Sequence, residues 1–146
     1  MREILFRGKS LETDEWIYGD TFHSSLDAQF ECIHDYKKHL NMAVDPETIG
    51  QYTGLTDKNG NKIFEGDIIR WKEYDRWAPD DNIVSGYVLY VDGQWLIQRP
   101  NIRSYLWRVH SYCKIIGNIY DNSEKDEPDP IGHKEDFITK RFNEVK

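Results

Sequence analysis

TDKNGNKIFEGDIIRWKEY, residues 56–74, is the stretch whose reading decides the fold. Asn59-Gly60 inside Lys58–Asn61 is the strongest hairpin signal in the chain, because Asn and Gly tolerate the positive φ that a tight β-turn demands. Lys62-Ile63-Phe64 follows as a short extended run. Glu65-Gly66-Asp67 makes a second corner. Residues 68–74 then alternate as a strand does, with Ile69 and Trp71 facing inward and Arg70 and Lys72 outward. Two tight turns and two short strands within so few residues are the punctuation of a β protein.

Downstream, Val84–Val91 is nearly continuous apolar β sequence and reads as a central strand. Asp92-Gly93 turns it back into Gln94–Gln98. After a loop over 99–104, residues 114–120 supply a closing strand with Ile115 and Ile119 on one face. Four or five short strands between Ile63 and Tyr120 suit a small barrel, which closes its own edges. An open sheet is the alternative. Upstream, Glu3–Arg7 and Glu15–Tyr18 make a first hairpin, with Trp16 and Tyr18 sharing a face. Phe30, Cys32 and His34 alternate as a further strand. Asp45-Pro46 is a corner, read either as a type I turn or as a short helix with Asp45 capping and Pro46 in first position. Residues 123–130 are acidic and proline-containing, as in a linker, and Ile138, Phe142 and Val145 recur at helical spacing. The expected organisation is a β-rich N-terminal part over 1–55, a small barrel over 56–122, and a linker with a short amphipathic helix over 123–146.

The 146 residues carry a net charge of −7, two cysteines, five Trp, nine Tyr and six Phe. With few aliphatics, most of the rings are expected in the core. No apolar run is long enough to cross a bilayer, and the polar opening Met1–Arg7 lacks a signal peptide's apolar region, so the protein is expected to stay where it is made, in the cytoplasm. Cys32 and Cys113 are expected as free buried thiols. The acidic balance works against sequence-independent binding of phosphates.

Candidate metal ligands are His23, Cys32, His34, His39, His110, Cys113 and His133, but no pair has the close double spacing of a structural zinc site. No Gly-x-Ser-x-Gly elbow or glycine-rich phosphate loop occurs. Asp57, Glu65 and Asp67 are close in sequence, yet each is explained as an ordinary turn residue. No metal, cofactor or catalytic residue is assigned, and an enzyme is not expected. Trp71, Trp77, Trp95, Tyr105 and Trp107 lie near Arg70, Lys72, Arg76, Arg99, Arg103 and Arg108, a mixture found where single-stranded nucleic acid stacks on rings. Trp, Tyr and Arg also anchor protein interfaces. The candidate binding residues are therefore Trp77, Arg99, Arg103, Tyr105, Trp107 and Arg108.

The pattern VDPETIGQYTGL over 44–55, followed by TDKNGNKIFEGDII over 56–69, resembles the signature of the YopX family of bacteriophage and prophage proteins. RGKSLETDEWIYGD over 7–20 is similar to that family's opening and IIGNIYDN over 115–122 to its close, so the resemblance covers residues 2–122. It implies an irregular β-rich N-terminal part and a C-terminal barrel of the SH3 type. It brings no activity, cofactor or catalytic residue. The expected function is that of a phage accessory protein that binds a protein partner or copies of itself; a single-strand nucleic-acid module is the alternative, disfavoured by net charge.

Overall fold

A computed structural model describes residues 1–25, 30–74, 76–77 and 82–121. The chain is mostly β and forms two compact units that divide between Gly54 and Leu55. The acidic stretch over 123–130 and the helix expected around Ile138, Phe142 and Val145 lie outside the described residues.

The first unit contains β1 (Phe6–Lys9), β2 (Trp16–Gly19), β3 (Phe22–Ser24), β4 (Glu31–Asp35), β5 (Leu40–Val44) and the start of β6 (Gly50–Thr56). β1 and β2 pair antiparallel, Phe6 opposite Gly19, so the first hairpin exists with its first strand two or three residues later than the alternation of Ile4, Leu5 and Phe6 suggests. β1 takes Gly50 and Gln51 of β6 on its other edge. β3, β4 and β5 form a three-stranded antiparallel sheet. The two layers meet over Ile17, Ile33 and Val44, with Phe6, Met42 and Ile49 packed around them. Close approach requires a glycine: a Cβ at Gly19 would collide with the carbonyl oxygen of His34 and lie 2.8 Å from Ile33. The Asp45-Pro46 corner is a short 3-10 helix, Pro46–Thr48, whose cap is the Asp45 carboxylate accepting from the Glu47 amide at 3.1 Å.

β6 carries the chain into the second unit, which holds β7 (Lys62–Phe64), β8 (Asp67–Lys72), β9 (Ile83–Val91), β10 (Gln94–Gln98), β11 (Arg103–Tyr105), the helical turn α1 (Leu106–Val109), a 3-10 turn at His110–Tyr112, and β12 (Lys114–Asn118). Five of these strands pair in the order β11-β10-β9-β8-β12, all antiparallel. The pairing is open: β11 and β12 are its two edges, and no pairing between them closes it among the described residues. The open sheet, the alternative to a closed barrel, therefore describes the hydrogen bonding.

β9 is central, and its halves serve different neighbours. β8 pairs with Ile83–Tyr87 and β10 with Tyr87–Val91, so Tyr87 alone is shared. At the change of partner sits Gly86, where a Cβ would collide with the Gln98 carbonyl and lie 2.7 Å from Ile97. A side chain is excluded there because β10 folds back over β9.

The core on one face is Ile63, Ile69, Trp71, Val84, Val88 and Ile97, closed by Leu106, Val109 and Cys113. The other face holds Ile68, Tyr87 and Ile119. Ile69 and Trp71 are inward as the alternation predicts. Ile115 and Ile119 do not share a face. A bulge between Ile115 and Gly117 inserts one residue, which reverses the parity of everything after it. Ile115 accordingly packs with the first cluster and Ile119 with the second.

The expectation that most rings are buried is overturned. Of Trp71, Trp77, Trp95, Tyr105 and Trp107, only Trp71 is buried. Isoleucines fill the interior instead: Ile33, Ile63, Ile68, Ile69 and Ile97 are almost wholly enclosed. Each contributes roughly 1.5–3 kcal/mol by leaving water, and the rings are freed for the surface.

Candidate functional site

The connection between β11 and β12 carries most of the candidate residues. Leu106 and Val109 stand three apart on one side of the helical turn, and both are buried in the main core cluster. Anchoring that side turns Trp107 and Arg108 outward. Tyr105, the last residue of β11, is 42% exposed and Trp107 is 61% exposed. Their ring centroids are 6.2 Å apart, and the Arg108 guanidinium lies over both, 4.9 Å from Trp107 and 5.5 Å from Tyr105. Such stacking is worth about 0.5–1 kcal/mol at an exposed site and holds a long side chain in place. No carboxylate among the described residues pairs with Arg108.

Behind this cluster the backbone is stapled to the 57–61 hairpin. His110 Nδ1 donates to the Thr56 carbonyl at 3.0 Å, which as a pure acceptor places the proton on that nitrogen. Lys58 N donates to the Cys113 carbonyl at 3.0 Å. The Asp57 carboxylate accepts from the amides of Asn59 and Asn61, each at 2.9 Å, and from Ile115 N at 3.2 Å. Burial opposes ionisation of Asp57, but the amides of Asn61, Ile115 and Asn59 outweigh it and hold the carboxyl below its ordinary value. Burial, with the Asp57 charge adding to it, pushes the Cys113 thiol up to about 11. Asp67 is buried and accepts from the Phe64 amide at 2.8 Å. Both carboxylates thus accept from backbone amides.

The other candidate residues are placed differently. Arg99 is half-buried, 3.1 Å from Glu73 and over the face of Trp71, where it clamps the base of the β8–β9 connection. Arg103 Nε donates to Gln98 Oε1 at 2.7 Å, across the β10–β11 pair. Trp77 is 89% exposed and comes from the β8–β9 connection. The site that the structure assembles is Tyr105, Trp107 and Arg108. Sequence reasoning found these residues but read no helix there, although Leu106 and Val109 at i and i+3 were the available signal. Among the described residues, no group of three His, Cys, Asp or Glu side chains is placed to hold a metal ion, and no helix is long and apolar enough to cross a membrane.

Among known proteins, a family model described as YopX, YopX protein, matches residues 5–125. No curated protein matches the chain. Among solved structures, the crystal structure of protein EF1440 from Enterococcus faecalis is similar at 20% identity, covering 85% of this chain and 98% of that one, with a TM-score of 0.49.

Proposed function

Since its residues 5–125 match that model, the chain belongs to the YopX family, and from this we propose that it is a phage-type accessory protein that works by binding a protein partner or further copies of itself. The observation that carries this reading is the cluster of Tyr105, Trp107 and Arg108: two exposed rings beneath an arginine that has no acidic neighbour among the described residues. These residue types dominate interface energetics when they are held rigidly and then desolvated, and the staples to Thr56, Asp57 and Lys58 supply the rigidity.

The scaffold is read as SH3-type. A meander of four strands, a helical turn and a fifth strand returning beside the first support it, as does β9 dividing its pairing at Tyr87 beside Gly86. A binding role, with no catalysis, is favoured because Asp57 and Asp67 spend their oxygens on backbone amides. The proposed place of action is the bacterial cytoplasm.

Single-stranded nucleic acid is the second reading, since exposed rings beside an arginine also stack bases. Net charge disfavours it, and Arg108 already covers the ring faces that bases would use.

Affinity capture of the tagged chain from host lysate, with and without nuclease, tests both readings when it is run beside Trp107→Ala. A defined protein retained by the wild type, resistant to nuclease and lost with the variant, is the expected result. Retention that collapses with nuclease moves nucleic acid to first place. Retention unaffected by Trp107→Ala removes this cluster as the contact surface.

A further inference from the structure

Charge is unevenly placed along this chain. Asp and Glu outnumber Lys and Arg by 26 to 19, yet from Gly93 to Tyr120 no acidic residue occurs. The same run holds Arg99, Arg103, Arg108 and Lys114. It comprises β10, β11, the helical turn and β12, so Tyr105, Trp107 and Arg108 belong to a basic stretch of an acidic protein. Arg99 is spent on Glu73. Arg103 stands on the same face of β11 as Tyr105, two residues away, and both are exposed. The Arg108 guanidinium has no carboxylate or other hydrogen-bonding partner among the described residues.

An arginine waving in solvent gives up rotamer freedom when it binds. Arg108 has given up much of it already, because the rings of Trp107 and Tyr105 hold its guanidinium over them. Ring faces accept no ordinary hydrogen bond, so its N–H donors remain available to an anion. A carboxylate needs only one guanidinium, which it meets with two parallel hydrogen bonds. A nucleic-acid strand presents a row of phosphates and needs a row of cations. A second copy of this chain brings a like net charge of −7, which opposes self-association. The exposed parts of Trp107 and Tyr105 add apolar surface beside the charge.

We propose that this cluster docks an acidic segment of another protein. One Asp or Glu carboxylate of that segment pairs with the Arg108 guanidinium, and a large apolar side chain beside it packs on Trp107 and Tyr105. Arg103 supports the same preference from the strand side. The inference rests on the cluster being the binding surface and names the chemistry of what it takes.

The test selects short random peptides, displayed on a carrier, against the immobilised full chain. Recovered peptides are expected to carry Asp or Glu beside Leu, Phe or Trp, enriched over the unselected pool. One such synthetic peptide is then titrated into wild type, Trp107→Ala and Arg108→Gln, each checked for a wild-type urea midpoint. Arg108→Gln is expected to weaken binding about ten- to a hundredfold, the worth of a charge-assisted hydrogen bond. Replacing the peptide's acid by its amide is expected to weaken binding to wild type equally. It should do nothing further to Arg108→Gln, because the two changes remove one pair. The peptide-side change is read on wild type, so it stands even where a protein variant unfolds. Peptides that depend on Trp107 but lack acids, or two changes that add in full, overturn the acidic chemistry and leave the cluster as a binding surface. Peptides indifferent to Trp107→Ala remove that surface as well. A single-stranded oligonucleotide of mixed sequence that binds through Arg108 and displaces the peptide overturns the proposal in favour of nucleic acid. A dimer in sedimentation that Arg108→Gln dissociates overturns it in favour of a second copy.

Discussion

Asp57 shows how much of this fold depends on single polar groups. Its carboxylate terminates the turn at Asn59 and Asn61 and reaches the Ile115 amide of β12, joining positions far apart in sequence. Removing it leaves several amides without their acceptor, so Asp57→Ala is expected to lose about 2–3 kcal/mol in urea unfolding. The folded-state pKa is depressed from an ordinary value of 3.8, so this stability is fully present above that value and fades as pH falls through the lower folded one. Wild type and variant should differ in urea midpoint at pH 7 and converge at the acid end; a gap that persists unchanged into acid would show that the charge is not what matters. Asn59-Gly60 and Asp92-Gly93 look alike in sequence and fold differently. Asp92 and Gly93 both take positive φ, as a two-residue type I′ turn requires, whereas only Gly60 does so in the other pair. The difference lies in Asp57, whose carboxylate accepts from the Asn59 and Asn61 amides and so holds the turn that follows it, a role no dipeptide rule contains.

At the scale of elements, strands with clean alternation or a long apolar run were legible: β8 and β9 stand where residues 68–74 and Val84–Val91 predict. β3 was not legible, because all three of its residues are exposed and no alternation marks them. β12 was found but its facing was misread, since a bulge leaves no trace in a count of every second residue. Gly86 is the element-level weak point. Gly86→Ala forces β10 away from β9, and a cost of about 1–3 kcal/mol is expected from overpacking; an unchanged urea midpoint would mean that the close approach relaxes freely. Gly19→Ala should cost a comparable amount where β2 lies on β4.

For the whole molecule, isoleucine is the commonest of the large, fully enclosed side chains, whereas Trp77, Tyr105 and Trp107 are exposed. That division kept the candidate site half legible. Composition pointed to the stretch 99–108, but only the packing of Leu106 and Val109 separates Arg108, turned outward over two rings, from Arg99, already held by Glu73. Trp77→Ala is expected to leave the urea midpoint within about 0.5 kcal/mol of wild type, as for exposed positions generally; a larger loss would place the ring in a structural role. Amide exchange should be slowest in β8, β9 and β10, around Ile69, Val88 and Ile97, and fastest in β3. The split pairing of β9 bears on the route by which this sheet is reached. β8, β9 and β10 are neighbours in the chain: β10 follows β9 after two residues and β9 follows β8 after ten, so each of β9's hairpins can zip without the other, meeting at Tyr87. β12 must return from Lys114 to Arg70, a far longer closure. The arrival of β12 is therefore the step expected to limit folding: a substitution that weakens the Asp57 link to Ile115 should slow refolding more than it hastens unfolding, and an unchanged refolding rate would place the limit elsewhere.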